Sequence, residues 1–166
     1  GYGNWEPDFD HTNHYDNALT TIRNAYAVTD INNDGRSDKL VPAGIIWMQG
    51  EADANFSQAS ADAYRDNLKR LMDLFRGAFR KDDLPVVIGK INDSHMTSDG
   101  GPTQPYIATV HAAQKDFTDN DPCAALVTET ETYMFSSDVW HYDSDGYIRM
   151  GKAFAKAVTM LESTCK

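Results

Sequence analysis

Gly44-Ile45-Ile46-Trp47-Met48-Gln49-Gly50-Glu51-Ala52-Asp53-Ala54 is the stretch from which the rest of the chain is read. Ile45 to Met48 form an apolar run with β-branched members, which predicts a buried strand. The run stops abruptly at an amide, a glycine and a carboxylate: Gln49, Gly50 and Glu51. In open α/β sheets, ligands bind just beyond the carboxyl ends of the strands, so this arrest reads as a site. By spacing alone it is equally compatible with a strand followed by an ordinary polar turn.

Working outward, Leu40 to Met48 is expected to be the central strand, with Pro42 near its start, where a missing N–H is tolerated. Asn55 to Ser60 reads as a polar loop. Tyr64, Leu68, Leu71, Met72, Phe75 and Phe79 then recur on one face of a helix over Ser60 to Arg80. Lys81-Asp82-Asp83 turns the chain into a second buried strand, Pro85 to Ile91. A Ser/Asp/Gly-rich loop follows, Asn92 to Thr103, again at a strand's C-terminal end. Thr103 and Pro105 signal a helix start, and Ile107, Val110, Ala113 and Phe117 give its inner face. Asp121-Pro122 breaks the chain before a third strand, Cys123 to Thr128. Glu129 to Asp145 is a loop carrying Asp138 and His141. Ser144 or Asp145 is placed to cap a last helix lined by Tyr147, Met150, Phe154, Val158 and Leu161.

Strands alternating with helices call for a parallel sheet covered on both faces, joined by right-handed crossovers. The expected fold is α/β, a three-layer α/β/α sandwich of flavodoxin-like type, with residues 1–166 as a single domain. Three strands with four helices make a thin sheet for that architecture, so the fold reads as incomplete on its N-terminal side.

At 166 residues, 41% hydrophobic and 11% aromatic, the chain can build a core. Fifteen basic against 25 acidic residues give a net charge of −10. Such a surface repels phosphate backbones and anionic bilayers, so no nucleic acid and no membrane is expected as a partner. No apolar run approaches the roughly 20 residues needed to span a bilayer, and no signal peptide is read among these residues, which would be expected of a mature or trimmed form if the protein is secreted. The two cysteines, Cys123 and Cys165, flank the third strand and the last helix. They read either as a disulfide stabilising by about 3 kcal/mol, which would imply an oxidising compartment, or as two unrelated thiols.

Gly1 to Thr12 has no period and reads as a loop. His11 and His14 are three apart but lack a third ligand nearby, and read as surface residues rather than a metal pair. Tyr15, Leu19, Ile22 and Tyr26 mark an amphipathic helix over Asn13 to Val28. It ends at Asp30-Ile31-Asn32-Asn33-Asp34-Gly35-Arg36-Ser37-Asp38, the alternating-oxygen pattern of calcium loops. Asp30, Asn32, Asp34 and Asp38 would offer side-chain oxygens, Arg36 its carbonyl, and Gly35 the tight turn. The twelfth position, a bidentate Glu in an EF-hand, is Val41, and a strand rather than a second helix follows. The loop thus suits an isolated structural Ca2+ of the extracellular kind; the alternative is a solvated Asn/Asp/Gly turn.

Trp47-Met48-Gln49-Gly50-Glu51-Ala52-Asp53 resembles the Trp-x-Gln-Gly-Glu-x-Asp block of the sialate O-acetylesterase and acetylxylan esterase group within the SGNH hydrolases. Asp138-Val139-Trp140-His141 is similar to that family's Asp-x-x-His. The resemblance covers roughly Leu40 to the C-terminus and implies a carbohydrate O-acetylesterase of about five parallel strands. It implies His141 as general base and Asp138 as its orienting partner. Gln49 has the chemistry of an oxyanion donor, Gly50 admits close approach to the backbone, and Glu51 and Asp53 would hold the turn by accepting hydrogen bonds. Trp47 and Met48 read as core.

The family's serine belongs to a Gly-Asp-Ser or Gly-Gln-Ser-Asn block after the first strand, and these residues contain none. Ser94, Ser136 and Ser137 lack the Gly-flanked elbow of a nucleophile. The expectation is therefore an esterase of acetylated sugars, sialic acid or xylan, secreted or periplasmic and needing no cofactor for chemistry. Its nucleophile would lie on a separate N-terminal segment or chain, leaving this chain alone nearly inactive. The competing reading is a non-catalytic, calcium-stabilised carbohydrate-binding or scaffold module. A metal-dependent enzyme built on the Asp30 loop is a weaker third.

Overall fold

The computed structural model describes residues 13–165, which divide between Pro42 and Ala43 into two compact units. Among the described residues five α-helices and three strands are formed: α1 (His14–Ala27), β1 (Ile45–Trp47), α2 (Glu51–Phe56), α3 (Gln58–Phe79), β2 (Val86–Gly89), α4 (Ile107–Asn120), β3 (Ala124–Val127) and α5 (Ser144–Glu162), with a 3-10 turn over Glu129–Thr132.

In the larger unit the strands are parallel in the order β1-β2-β3, with Ile45 opposite Val86 and Val86 opposite Ala124. The central strand is therefore β2, not the strand that ends at Met48. Val86, Val87 and Ile88 are all fully buried, as an apolar run in a two-sided parallel sheet must be. Among the described strands β1 has a neighbour on one side only, and Ile46 is 55% exposed. β1 is also far shorter than expected. Pro42 has no N–H to give a ladder, Val41 is exposed, and pairing begins where the Ile45 N–H donates to the Pro85 carbonyl, 2.7 Å away.

The sheet faces are divided by alternation. Val87 joins Val127, Phe154 and Leu161 in the layer covered by α5. Gly89 belongs there too: a Cβ at that position would collide with the Met48 sulfur and meet Phe154 at 2.9 Å. Val86 and Ile88 alternate onto the opposite face, away from α5, on which α4 packs against β3 with α3 beside it. The result is part of an α/β/α sandwich, as the alternation of elements predicts. Cys123 and Cys165 are joined, tying the start of β3 to the chain after α5.

Two local expectations are corrected. Asn55 to Ser60 is not a loop: α2 starts directly at Glu51, and Ser57 alone, with extended backbone, separates it from α3. The Ser57 Oγ accepts from the Ser60 N–H, so one capping serine both ends α2 and starts α3. At α5 the cap is Asp143, whose Oδ1 accepts from the Gly146 N–H at 2.7 Å, rather than Ser144 or Asp145.

The smaller unit holds α1 and the loop after it. Asn13 caps α1 reciprocally with Asp16: its Oδ1 accepts the Asp16 N–H at 2.9 Å while its Nδ2 donates to the Asp16 carboxylate at 3.0 Å. Residues 1–12, and with them His11, lie outside the described residues.

Candidate active site

The turn after β1 is built into the core. Gly50 has φ +141, and a Cβ there would meet Val110 Cγ1 at 2.9 Å and the Tyr64 hydroxyl at 3.3 Å. Only glycine tolerates both the backbone and the space. Gly50 is also the N-cap of α2, its carbonyl accepting the Ala54 N–H at 2.9 Å. The Gln49 carbonyl accepts two hydrogen bonds, from the Tyr64 hydroxyl at 2.7 Å and from Gln114 Nε2 at 3.2 Å. Gln114, fully buried on α4, also donates to the Gly89 carbonyl at 3.3 Å and accepts the Ile91 N–H at 3.3 Å. One amide thus fastens the end of β1 to the end of β2. The Gln49 side chain donates through Nε2 to the buried Asp53 carboxylate at 2.8 Å.

Glu51 opens α2 in a half-buried position. Desolvation raises its pKa; the N–H groups of Glu51 and Gly50 partly offset this, as does the nearby His141. Burial likewise pushes the Tyr64 hydroxyl up.

Asp138 and His141 occupy a short excursion closed by an antiparallel bridge between Phe135 and Tyr142. The Ser136 N–H donates to the His141 carbonyl at 2.8 Å and the Asp143 N–H to the Met134 carbonyl at 2.9 Å. At its tip Asp138 organises the turn, its Oδ1 accepting the N–H groups of Trp140 and His141, each at 2.8 Å. His141 Nδ1 lies 3.0 Å from both Asp138 oxygens. The Trp140 N–H and then the imidazole hold the Asp138 carboxyl down at about 2. The ring stays open, the His141 side chain being 66% exposed and that of Asp138 49%. This leaves Nε2 accessible to a reacting group.

The two segments meet electrostatically. His141 acts on the Glu51 carboxyl, and Glu51 in turn raises the pKa of Tyr142, which burial pushes up first. Both segments follow the C-terminal ends of parallel strands, Gln49 to Glu51 after β1 and Asp138 and His141 after β3 and its 3-10 turn.

The serines considered from sequence are differently engaged. Ser94 Oγ shares a hydrogen bond with Thr103 Oγ1 at 3.2 Å, and Ser136 Oγ donates to Asp138 rather than to His141. The Asn92–Thr103 loop is held by buried Asp93, which accepts the N–H groups of His95, Thr103 and Gln104. Desolvation is the largest single influence on Asp93 and raises its pKa, but these hydrogen bonds together outweigh it and the pKa is lowered. Tyr64, Gln114 and Asp93 are site-shaping residues that sequence reasoning passed over. Gln114 had a legible signal, a polar residue between Ala113 and Phe117 on the inner face of a helix.

A family model described as carbohydrate esterase, sialic acid-specific acetylesterase, matches residues 2–160. The chain belongs to this carbohydrate esterase family. Among solved structures, a protein from Arabidopsis thaliana aligns over 88% of this chain and 52% of its own length, with a TM-score of 0.66 and 19% identity. A carbohydrate acetylesterase from Xanthomonas citri aligns over 70% of this chain and 26% of its own, with a TM-score of 0.49 and 18% identity. The chain therefore spans about half the length of the Arabidopsis structure. The first likeness speaks to fold alone. No curated protein matches the chain.

In the smaller unit the expected calcium loop turns its oxygens inward. Asp30 accepts the N–H groups of Asp34 and Gly35, Asp34 that of Arg36, and Asp38 that of Ile31. Gly35 has φ +80, as a tight turn requires. Among the described residues no three His, Cys, Asp or Glu side chains converge as a metal set.

Proposed function

We propose that this chain supplies the base, its orienting acid and an oxyanion donor to a serine-type O-acetylesterase acting on acetylated sugars such as sialic acid or xylan, with the serine on a segment outside these residues. The observation that carries the reading is His141 Nδ1 at 3.0 Å from both oxygens of Asp138, with the imidazole otherwise open. An ionised Asp138 fixes the Nδ1–H tautomer, so that Nε2 takes the proton of an attacking hydroxyl and returns it to the leaving sugar oxygen. As the acetyl carbonyl becomes tetrahedral, the free N–H of the Gln49 side chain stabilises the oxyanion. Glu51 holds the turn and needs no part in proton transfer.

Two observations support a separate nucleophile segment. The hydroxyl of the pair's neighbouring serine, Ser136, donates to the Asp138 carboxylate and not to the His141 imidazole. The outer edge of β1 carries a half-exposed Ile46 and has no partner among the described strands, where a further parallel strand would bury it. The test is hydrolysis of p-nitrophenyl acetate and of an acetylated sugar, by the chain with and without a preceding segment bearing the serine block. Turnover should require that segment and fall by about 10⁶ with His141→Ala. Turnover by the bare chain, lost with His141→Ala, would place the nucleophile here. Sugar binding without turnover in either form would favour the non-catalytic module.

The same reading includes a structural calcium at Asp30, Asn32, Asp34, the Arg36 carbonyl and Asp38. Their oxygens are the hard donors that calcium takes, and Asp30 Oδ1 and Asn32 Oδ1 already meet on one donor, the Asp34 N–H, at 3.1 and 3.0 Å. Millimolar calcium should raise the melting temperature and EDTA reverse it; no response to either would remove the ion from the account. Export from the cytoplasm is supported by the Cys123–Cys165 disulfide. No helix among the described residues is long and apolar enough to cross a membrane.

A further inference from the structure

Gln49 is useful as an oxyanion donor only if its amide nitrogen, and not its oxygen, faces the reacting carbonyl. The two ends of a primary amide have nearly the same shape, so packing cannot choose between them. A hydrogen-bond partner of fixed polarity can. We infer that Asp53 is that partner, a positioning residue that sets the sense of the Gln49 amide; the inference rests on the esterase reading of Gln49.

The geometry leaves Gln49 one freedom. Its backbone is pinned by Tyr64 and Gln114 on the carbonyl and by the capping geometry of Gly50. Its side-chain torsions alone remain. Asp53 lies in the first turn of α2, where side chains lean back towards the helix N-terminus, and reaches Gln49 Nε2 at 2.8 Å. At 2% exposure it is out of competition from water. An ionised carboxylate has acceptors only. The amide must therefore present Nε2 to it, which leaves the second N–H of the same nitrogen for the oxyanion. With the amide reversed, Oε1 would meet the carboxylate and lone pairs would meet the developing charge. Asp53 touches neither substrate nor reacting atoms and acts through Gln49.

Two measurements test this independently. In the chain as it stands, 15N-labelled, the Gln49 side-chain amide is assigned by its loss in Gln49→Glu. One of its protons is expected downfield and protected from exchange. Asp53→Asn, which preserves volume but offers either polarity, should move it upfield and remove the protection. Unchanged Gln49 resonances in Asp53→Asn would overturn the inference, whatever the enzyme's chemistry.

The second measurement uses the chain with its serine-bearing segment. Removing an oxyanion donor outright costs about 10²–10³ in kcat, which sets the scale for Gln49→Ala. Asp53→Ala should lose about 10-fold in kcat and Asp53→Asn about 2- to 5-fold, both with KM within about twofold, because the interaction is made in the transition state. Wild-type kcat in both Asp53 variants, beside a Gln49→Ala that fails, overturns the inference. So does a rise in KM with unchanged kcat and a lowered melting temperature, the mark of a merely structural residue. Full activity in His141→Ala would instead overturn the esterase reading, leaving the amide measurement to decide Asp53's hold on Gln49.

Discussion

The turn from Gln49 to Asp53 and the excursion from Phe135 to Tyr142 bring unlike engineering to one edge of the sheet. In the first, the backbone is fixed by groups distant in sequence, Tyr64 from α3 and Gln114 and Val110 from α4, and only the Gln49 side chain is held locally, by Asp53. In the second, Asp138 is fixed almost wholly by its own neighbours, Ser136, Trp140 and His141. The first is buried, the second open to solvent. A donor for an oxyanion gains from rigidity and exclusion of water, whereas a base that carries protons between two oxygens needs access. The difference teaches where perturbation should be felt: local changes in the exposed excursion should cost activity and little stability, and changes in the buried turn should cost both.

The largest effect expected along this division is Asp138→Asn in the serine-complete protein. An asparagine can turn its N–H towards Nδ1 and favour the wrong tautomer, a change worth about 10⁴ in kcat in a comparable triad. The melting temperature at neutral pH should fall only slightly, since both side chains are about half exposed or more and solvent screens what the ionised Asp138 contributes. A large loss of stability with intact kcat would invert the comparison.

Gly50→Ala should behave in the opposite way. The new Cβ faces Val110 at 2.9 Å on a backbone at φ +141, so strain and overpacking together should cost about 2–4 kcal/mol of stability. Thermal or denaturant unfolding of the bare chain measures this without any assay. A variant as stable as wild type would mean that the turn is not the rigid member of the pair.

The smallest effect is in the acid limb of stability. Asp138 is depressed from 3.8 to about 2 in the fold, so its contribution is present above pH 3.8 and is lost as pH falls towards 2. Glu51 is raised above 4.5, chiefly by desolvation, so its contribution is present below pH 4.5 and is lost as pH rises through the folded value. Melting curves from pH 2 to 7 should lose part of their acid slope in Asp138→Asn. In Glu51→Gln the opposing trend should disappear. Identical profiles for both variants and wild type would show that neither carboxyl is perturbed as described.

Much of this was legible in the chain itself. Period-3.6 apolar spacing placed α3, α4 and α5, and the runs at Ile45, Val86 and Ala124 placed the strands, because burial of one face leaves its period in the sequence. The arrest at Gln49-Gly50-Glu51 and the spacing of Asp138 and His141 marked the candidate site. The lengths and ranks of the strands were not legible: Leu40 to Gly44 look as apolar as a strand start, and only pairing with Pro85 and Val86 shows where the ladder begins.

What the sequence by itself determined is therefore what is local: the α/β alternation, the apolar faces of the helices, and the carboxylate three residues from its histidine. What only tertiary structure decided is what joins segments far apart in the chain. Gln114 lies 65 residues from the carbonyl it holds at Gln49, and the Cys123–Cys165 pair closes over 42. Gly50 must be glycine because of Val110 and Tyr64. Such constraints leave no period along the chain, because each is set by a partner whose position exists only once the sheet and its helices have packed.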